Sequence, residues 1–344
     1  MLPQVRTVTF GIIAYNEQQY LPDLLNDLLS QTYPKDRIEV ILVDGDSSDD
    51  TWNLMQAFKD RCESSFLRVL VLHNPKRIQP AGWNIVITNS TADMLLRIDA
   101  HARIPKDFIQ RSVERINAGE FVCGGPRANI IDEETPWKSM LLGAEQAMFG
   151  SGFASYRRAA EKITYVKSVF HAAYRREVLC KVGLFNEDLQ RTEDNEYHYR
   201  VAQAGYKICY DPAITSFYQT RNSLKAMLRQ KHLNGLWIGK TLFVCPGCIS
   251  LFHLVPCGFV FSIGATGALA VVGIVWPALT LWAAYGAVDA LMTLSTFVAA
   301  PKKSACYAAL PAVFFLLHAG YGVGTVRGIS SMLYGRARRG GGTK

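Results

Sequence analysis

The chain has 344 residues, 37 Lys+Arg against 29 Asp+Glu and 49% hydrophobic residues, which allows about two domains and excludes a disordered chain, a fibre or a stapled miniprotein. The charge is divided: residues 1–211 net −3, whereas residues 212–344 hold one acid, Asp289, against 12 bases. A basic, nearly acid-free half points to an anionic surface, and the apolar runs within it favour a membrane over nucleic acid.

The first residues, Met1 to Arg6, lack the basic-then-apolar layout of a signal peptide, so the polar half is expected in the cytoplasm. Val8–Ile13 reads as a buried strand, and Leu21–Leu29 repeats leucine at helical spacing. Val40–Val43 is a second strand and Thr51–Phe58 a second helix. Leu67–Leu72 is a third strand, Ala81–Thr88 a third helix and Met94–Ile98 a fourth strand. This β-α-β-α order predicts a mostly parallel sheet covered on both faces. Ligands of such sheets bind beyond the carboxyl ends of the strands, so polar residues there are the candidate site residues.

Asn222–Lys240 mixes apolar residues with Lys225, Arg229, Lys231 and Lys240, a pattern that suits an interfacial helix on anionic lipid. The alternative is an ordinary surface helix. From Val244 to Ala300 the only charged residue is Asp289, and a break near Trp276-Pro277 divides this run into two stretches of membrane-spanning length. Ala305–Val326 is a third. Lys302, Lys303 and the tail bases Arg327, Arg336, Arg338, Arg339 and Lys344 both look cytoplasmic, whereas three spans would place the tail opposite the N-terminal half. A re-entrant segment, an extra crossing or an exception to the rule would each reconcile these. Asp289 is either functional or a helix–helix hydrogen-bonding group. The eight cysteines are scattered, which argues against a disulfide framework. Cys245 and Cys248 have metal-type spacing, but only His253 lies close enough to join them, so small apolar filler is the simpler reading.

The chemistry-bearing residues follow the strands. Strand one ends in Tyr15-Asn16-Glu17, strand two in Asp44-Gly45-Asp46-Ser47-Ser48-Asp49-Asp50-Thr51, and strand four in Asp99-Ala100-His101. Glu193-Asp194 comes later. Each alone would pass for a solvated loop or a helix cap. Together they suit a nucleotide and a metal.

The ordered set resembles glycosyltransferase family 2 with its nucleotide-sugar-binding GT-A fold, over about residues 7–240. Within that family it looks most like the succinoglycan-biosynthesis type of bacterial polysaccharide enzyme. The resemblance implies a Rossmann-like, mostly parallel α/β catalytic domain followed by transmembrane helices. It implies nucleotide contacts from Tyr15, Asn16, Glu17 and Asp44, and a donor-contacting loop with Lys76, Arg77, Gly82 and Asn84. Asp99 matches the first acid of a metal triplet, with His101 in the second acid's place, for Mg²⁺ or Mn²⁺. Asp194 matches the catalytic base, with Glu193 beside it. Asp46 stands where the family often has Gly. His171 either lines an acceptor pocket or is a satisfied core histidine. Processive members carry Gln-x-x-Arg-Trp; here Arg229-Gln230 and Trp237 match it imperfectly, which disfavours a processive polymerase while leaving Arg229 and Trp237 as candidates to cover the diphosphate.

The chemistry is consistent with those assignments. Transfer leaves negative charge on a nucleoside diphosphate, which a cation can stabilise, while a carboxylate takes the acceptor hydroxyl's proton. The expected organisation is a catalytic domain over residues 1–218, an amphipathic interfacial region over 219–244, and a transmembrane region with a basic tail over 245–344. The expected protein is an inverting enzyme of the inner membrane, multi-pass, with its catalytic domain in the cytoplasm. It would take a UDP-linked nucleotide sugar and a polyprenyl diphosphate oligosaccharide, alongside other polysaccharide-assembly proteins and no nucleic acid. The alternatives are transfer to polyprenyl monophosphate or a simple lipid, and a catalytically silent nucleotide-binding subunit.

Overall fold

The computed structural model describes residues 3–150, 161–221 and 223–340. Met1, Leu2, Asn222 and Lys344, and the side chains of Arg336, Arg338 and Arg339, which the sequence reading used, lie outside the described set.

In chain order the elements begin with β1 (Val8–Ala14), α1 (Leu21–Leu29), β2 (Ile38–Asp44), α2 (Thr51–Cys62), β3 (Arg68–His73), α3 (Gln79–Asn89) and β4 (Met94–Asp99). They continue through β5 (Ala102–Arg103), α4 (Phe108–Asn117), β6 (Val122–Gly124), β7 (Arg127–Ile130), α5 (Pro136–Gln146), β8 (Thr164–Val166), β9 (Ala173–Arg175) and α6 (Arg176–Val182). The remainder are α7 (Glu193–Gln203), β10 (Ile208–Tyr210), β11 (Ser216–Gln219), α8 (Leu224–Thr241), α9 (Val255–Val271), α10 (Trp276–Ala299) and α11 (Leu310–Gly340). The seven elements read from sequence all form, each within a few residues of its expected ends. Two differences matter: Asp44 and Asp99 are the last residues of their strands rather than the first residues beyond them.

The chain divides into two compact units, Met1–Ile130 with Ser155–Gln219, and Ile131–Ala154 with Thr220–Lys344. The first holds an eight-stranded sheet in the order β3-β2-β1-β4-β9-β6-β10-β8 and a three-stranded sheet in the order β5-β11-β7. β3, β2, β1 and β4 are parallel, and β9 enters antiparallel to β4 and β6. β1 and β2 are apolar along nearly their whole length because both faces are covered. Alternate residues feed different layers: Phe10 and Ile12 join Leu21, Leu24 and Leu28 of α1, while Ile41 and Val43 join Trp83 and Val86 of α3 and Tyr197 of α7. Gly11 in β1 lets α3 approach, since a Cβ there would lie 2.6 Å from Val86 Cγ1.

The strand order reverses between β1 and β4, and the crevice at that reversal is where open parallel sheets bind ligands.

The second unit is helical. Met140 and Leu141 of α5, Met227 of α8 and Leu310, Val313, Phe314 and Leu317 of α11 form its buried cluster. Three helical segments are long and apolar enough to cross a membrane: Leu251–Val271, Trp276–Ala299 and Ala305–Tyr334. Large apolar side chains on the first two face outward, among them Phe261, Val271, Trp276 and Leu291, as lipid contact requires. Asp289 is buried on α10, where Thr293 Oγ1 donates to its Oδ1 at 3.4 Å. Lys231 departs from the expected basic face of α8: it is buried and pairs with Glu145 at 3.0 Å.

Candidate active site

The loops leaving β1, β2 and β3 are stitched together at the carboxyl edge of the sheet. Register pairs Ala14 with Asp44 on one side of β1 and Ile13 with Asp99 on the other. Asn16, Asp46 and Arg77, one in each loop, take left-handed backbone with φ of 56°, 63° and 56°. Such strain in non-glycine residues collects at functional sites, where surrounding bonds enforce it. Here the bonds are plain: Asn16 N–H donates to Ser47 Oγ at 2.9 Å, and Asn16 Oδ1 accepts from Ser48 N–H at 2.8 Å. Glu17 N–H donates to Thr51 Oγ1 at 2.8 Å, and Asp49 accepts from the Thr51 N–H. The Asp-x-x-Ser-x-Asp-x-Thr run therefore shapes the loop after β1.

Asp44 is buried, accepts from Ser47 N–H at 3.1 Å, and leaves its Oδ1 without a partner. A buried carboxylate oxygen without a donor is costly, so this one is placed to accept from a ligand. His73 Nδ1 is 3.8 Å away, and the His73 ring stacks on Trp52 at 3.7 Å. The Tyr15 ring is exposed. An acceptor beside exposed flat rings is suited to a nucleobase or ribose.

The basic loop after β3 is internally paired. Arg77 bonds Asp46, and Lys76 bonds Glu187. The Asn84 side chain bonds both the N–H and the carbonyl of Phe185, at 2.7 and 3.0 Å. Gly82 packs on β1, where an added Cβ would meet Ile13 at 3.0 Å.

On the other side of β1, Asp99 ends β4 among cationic groups. Burial opposes its charge, but His171, His101, Arg97 and Arg127 outweigh burial and hold its carboxyl below the ordinary range. His171 itself is neutral, because burial takes its pKa down to about 3, so the lasting attraction comes from the other three. Its Nδ1 is 2.8 Å from Ser216 Oγ, while its Nε2 is buried without a partner, so one ring nitrogen is satisfied and the other is not. His101 Nδ1 faces Glu17 Oε1 at 2.9 Å, and its ring meets the Tyr218 ring edge-on at 4.7 Å. Burial opposes a charge on His101, yet Tyr218, Glu17 and Asp99 push its pKa up to about 9. The three-stranded sheet supplies this wall: β11 carries Tyr218 beside β5, and Arg127 of β7 lies between the Phe170 and Tyr218 rings, 4.2 and 4.1 Å from their centroids.

Glu193 and Asp194 open α7. Arg97, two residues before Asp99 on the same face of β4, reaches Glu193 Oε1 with its Nη2 at 2.9 Å. Burial raises the carboxyl of Asp194 above its ordinary range, with Asp99 adding to the rise and Arg97 opposing it.

Ten of the expected residues thus sit in the first unit's carboxyl edge or its tethered α7: Tyr15, Asn16, Glu17, Asp44, Lys76, Arg77, Asp99, His101, Glu193 and Asp194. Asn84 is an internal tie to Phe185. Arg229 and Trp237 lie on α8 of the second unit, the first exposed and the second buried with Lys240 4.3 Å over its ring. Sequence reasoning missed Arg97, Arg127, Trp52 and His73. Arg97 carried a signal: a cation at strand spacing from Asp99 must share its face. Arg127 carried none, because its strand is short.

Among the described residues, no group of three or more His, Cys, Asp or Glu side chains is arranged to hold a metal ion. That donor set fits a cation that brings phosphate oxygens and water with it, as Mg²⁺ and Mn²⁺ do. Asp99 would hold it; His101, protonated while its pKa stands at about 9, would join as second donor only by releasing the proton of Nε2, which is buried and without a protein partner. Glu17 on the opposite ring nitrogen is the usual support for such a histidine.

Comparison with known proteins agrees with this geometry. The family model described as glycosyl transferase family 2 matches residues 9–183. A dolichyl N-acetyl-α-D-glucosaminyl phosphate 3-β-D-2,3-diacetamido-2,3-dideoxy-β-D-glucuronosyltransferase of Methanococcus voltae is 26% identical over 94% of this chain and 97% of its own length. The succinoglycan biosynthesis protein ExoA of Rhizobium meliloti is 29% identical over 62% of this chain and 64% of its own. The mannosyltransferase PcManGT of Pyrobaculum calidifontis, solved with GDP-Man and Mn²⁺, superposes with a TM-score of 0.62 at 18% identity, covering 94% of this chain and 88% of its own, which establishes the GT-A fold. The family match covers half the chain, and with the fold it settles the assignment: the chain belongs to glycosyltransferase family 2.

Proposed function

We propose that this protein is a membrane-anchored, inverting glycosyltransferase that moves a sugar from a nucleotide sugar, UDP-linked, to a polyprenyl diphosphate oligosaccharide in bacterial exopolysaccharide biosynthesis. The observation that carries the reading is the arrangement on β4: Asp99 at the sheet's reversal point and, through Arg97 on the same face, the Glu193–Asp194 pair. One strand thus joins a diphosphate-facing acid to a base.

Tyr15, Asp44 and the Trp52–His73 stack receive the base and ribose. Lys76 and Arg77 exchange Glu187 and Asp46 for the diphosphate. Asp99 and, once deprotonated, His101 would hold a divalent cation, which would supply Lewis-acid stabilisation of charge on the leaving diphosphate. The acceptor hydroxyl oxygen attacks the anomeric carbon, and its new C–O bond forms as the bond to the diphosphate oxygen breaks. The electron pair leaves with the nucleoside diphosphate, and the hydroxyl proton passes to Asp194. A single in-line displacement inverts the anomeric centre.

The three apolar helices confine the enzyme to the inner membrane, where lipid-linked acceptors reside, and proximity in two dimensions raises their effective concentration. The exposed Lys225 and Arg229 of α8 meet anionic headgroups in an interfacial region over residues 219–244. The catalytic domain, residues 1–218, is cytoplasmic. A second reading places a monophosphate in the acceptor, because the Methanococcus voltae relative, which aligns along nearly the whole chain, is named for a dolichyl sugar phosphate.

The test is full-length protein in nanodiscs, given a panel of nucleotide sugars with Mn²⁺ or Mg²⁺ and polyprenyl acceptors bearing one or two phosphates. Release of nucleoside diphosphate coupled to a β-for-α exchange at the transferred sugar supports the proposal. Equal release by wild type and Asp194→Asn would overturn the base assignment, and no release with any donor would favour a silent subunit.

A further inference from the structure

Behind the acid pair lies a buried polar network that the reaction scheme does not use. Arg97 and Glu193 are 4% and 2% exposed, and Nη2–Oε1 at 2.9 Å joins them. The guanidinium lies 4.9 Å from the Trp83 ring and 5.4 Å from the Phe185 ring, which fixes its plane between α3 and the segment ahead of α7. The Tyr174 phenol of β9 is beside it. Tyr174 Oη is 2.8 Å from His198 Nε2, and His198 Nδ1 is 2.8 Å from Ser168 Oγ. His198 belongs to α7, so the network grips that helix twice, at Glu193 in its first turn and again one turn and a half further on.

A buried ion pair by itself is weak evidence for stability, since apolar residues of similar shape would do as well. Its position is informative. Arg97 shares a strand face with Asp99, only two residues away, and its partner Glu193 adjoins Asp194. We infer that Arg97 is a positioning residue, which clamps the first turn of α7 to β4 so that the Asp194 carboxylate is held in register with the donor end of the site.

The inference rests on the glycosyl-transfer reading and on Asp194 as base. Arg97 touches neither the reacting carbon nor the acceptor in this scheme; it acts through Glu193. A small displacement of a base costs turnover far more than binding, on the order of 100-fold per ångström. The loops after β1, β2 and β3 that contact the donor make no bond to the clamp, and the charge Arg97 lends Asp99 is compensated by comparing donor KM at saturating Mn²⁺.

The experiment compares wild type, R97K, R97M and the double variant R97M/E193Q, full-length in nanodiscs, for kcat, donor KM and melting temperature. The double variant removes both partners of the pair, so Glu193 is not left as a lone buried acid, although Asp99 and Asp194 still lose Arg97 as a neighbouring cation; its melting temperature reports whether it folds. We expect kcat to fall about 100-fold in R97M and in the double variant, with donor KM unchanged, and R97K to recover part of the loss because it restores the charge without the planar fork. A double variant with wild-type kcat makes the pair merely structural and overturns the inference. So does a loss confined to donor KM, or an R97K no better than R97M. A wild type that turns over no donor sinks the transferase reading and this inference with it; a working wild type matched by R97M sinks the inference alone.

Discussion

His101 turns its Nδ1 to Glu17 Oε1 at 2.9 Å, which binds the loop after β1 to the residue just beyond β4 across the reversal point of the sheet. Glu17, proposed from sequence as a nucleotide contact, is thus bonded as a support for His101. Supporting carboxylates of this kind are worth about 10–100-fold in metal affinity or activity. Glu17→Ala should raise the Mn²⁺ concentration needed for half-maximal activity by about 10-fold while leaving donor KM at saturating Mn²⁺ unchanged. The reverse split, with donor KM raised and the metal requirement intact, would make Glu17 a nucleotide contact only.

Asp194 sits in the first turn of a helix, faces Arg97 and Asp99 of β4, and follows Glu193. Burial lifts its carboxyl above the ordinary aspartate value of about 3.9, Asp99 lifts it further, and Arg97 holds it back. A base works only when ionised. Turnover is thus full above the raised value and lost as pH falls through it, so the acidic limb of kcat should lie higher than an exposed aspartate would place it. Asp194→Asn should reduce kcat by about 10²–10⁴-fold with nucleotide binding intact, measured by calorimetry with the nucleoside diphosphate. An acidic limb at the ordinary aspartate value in wild type would reject the assignment of that limb to Asp194.

Four of the eight strands of the first sheet were legible because their signals are local, whereas β6, β8, β9 and β10, of three residues each, were not. Buried parallel strands are continuous apolar runs, and α1 shows its leucines at helical spacing, so β1 to β4 and their helices could be read residue by residue. The three apolar runs were legible for the same reason. The small sheet was not, since β5 has two residues and β7 and β11 four each, too few for periodicity to speak. Site acids at strand ends were found because chain order put them there. What each acid does to its neighbours was hidden: pairing of Lys76 with Glu187, over a separation of 111 residues, or of Arg97 with Glu193, over 96, is decided by tertiary packing. The sequence reading likewise took Lys231 for a surface base, because a partner as remote as Glu145 leaves no mark on its local pattern.

Glu39 offers a stability test away from the chemistry. It is wholly buried in β2, accepts from Thr9 Oγ1, from Thr91 N–H at 3.0 Å and Thr91 Oγ1 at 2.8 Å, and pairs with Arg68. Burial pushes its pKa up, but these donors together win and depress it. A depressed carboxyl contributes stability above its unfolded value of about 4.3, and that contribution disappears as pH falls through the lower folded value. Glu39→Gln should lower stability at neutral pH by about 1–3 kcal/mol, discounted because Arg68 is partly exposed, and should flatten the loss that sets in as pH falls through the unfolded value of about 4.3 towards the lower folded one. The apparent melting temperature against pH for both proteins decides it; parallel curves would exclude Glu39 as a source of acid sensitivity.

The helical unit makes a prediction of opposite character, resting on the absence of side chains. α8 and α11 meet backbone to backbone through glycines. A Cβ on Gly235 would lie 2.0 Å from Tyr321 O, on Gly239 2.4 Å from Thr325 O, on Gly324 2.1 Å from His232 O and on Gly328 2.1 Å from Leu236 O. Each obstacle is main chain, so no rotamer change relieves it, and the helices must part. Gly324→Ala should destabilise the solubilised protein by about 1–3 kcal/mol, the usual range for overpacking. Gly320→Ala, one turn earlier on α11 with open space where its Cβ would go, should be neutral or stabilise by up to about 1 kcal/mol through helix propensity. The pair controls for helix propensity and for any general intolerance of α11. Melting temperatures in detergent that fall equally for both would show that these helices do not touch through their glycines, whereas a fall for Gly324→Ala alone would place the contact where the glycines interlock.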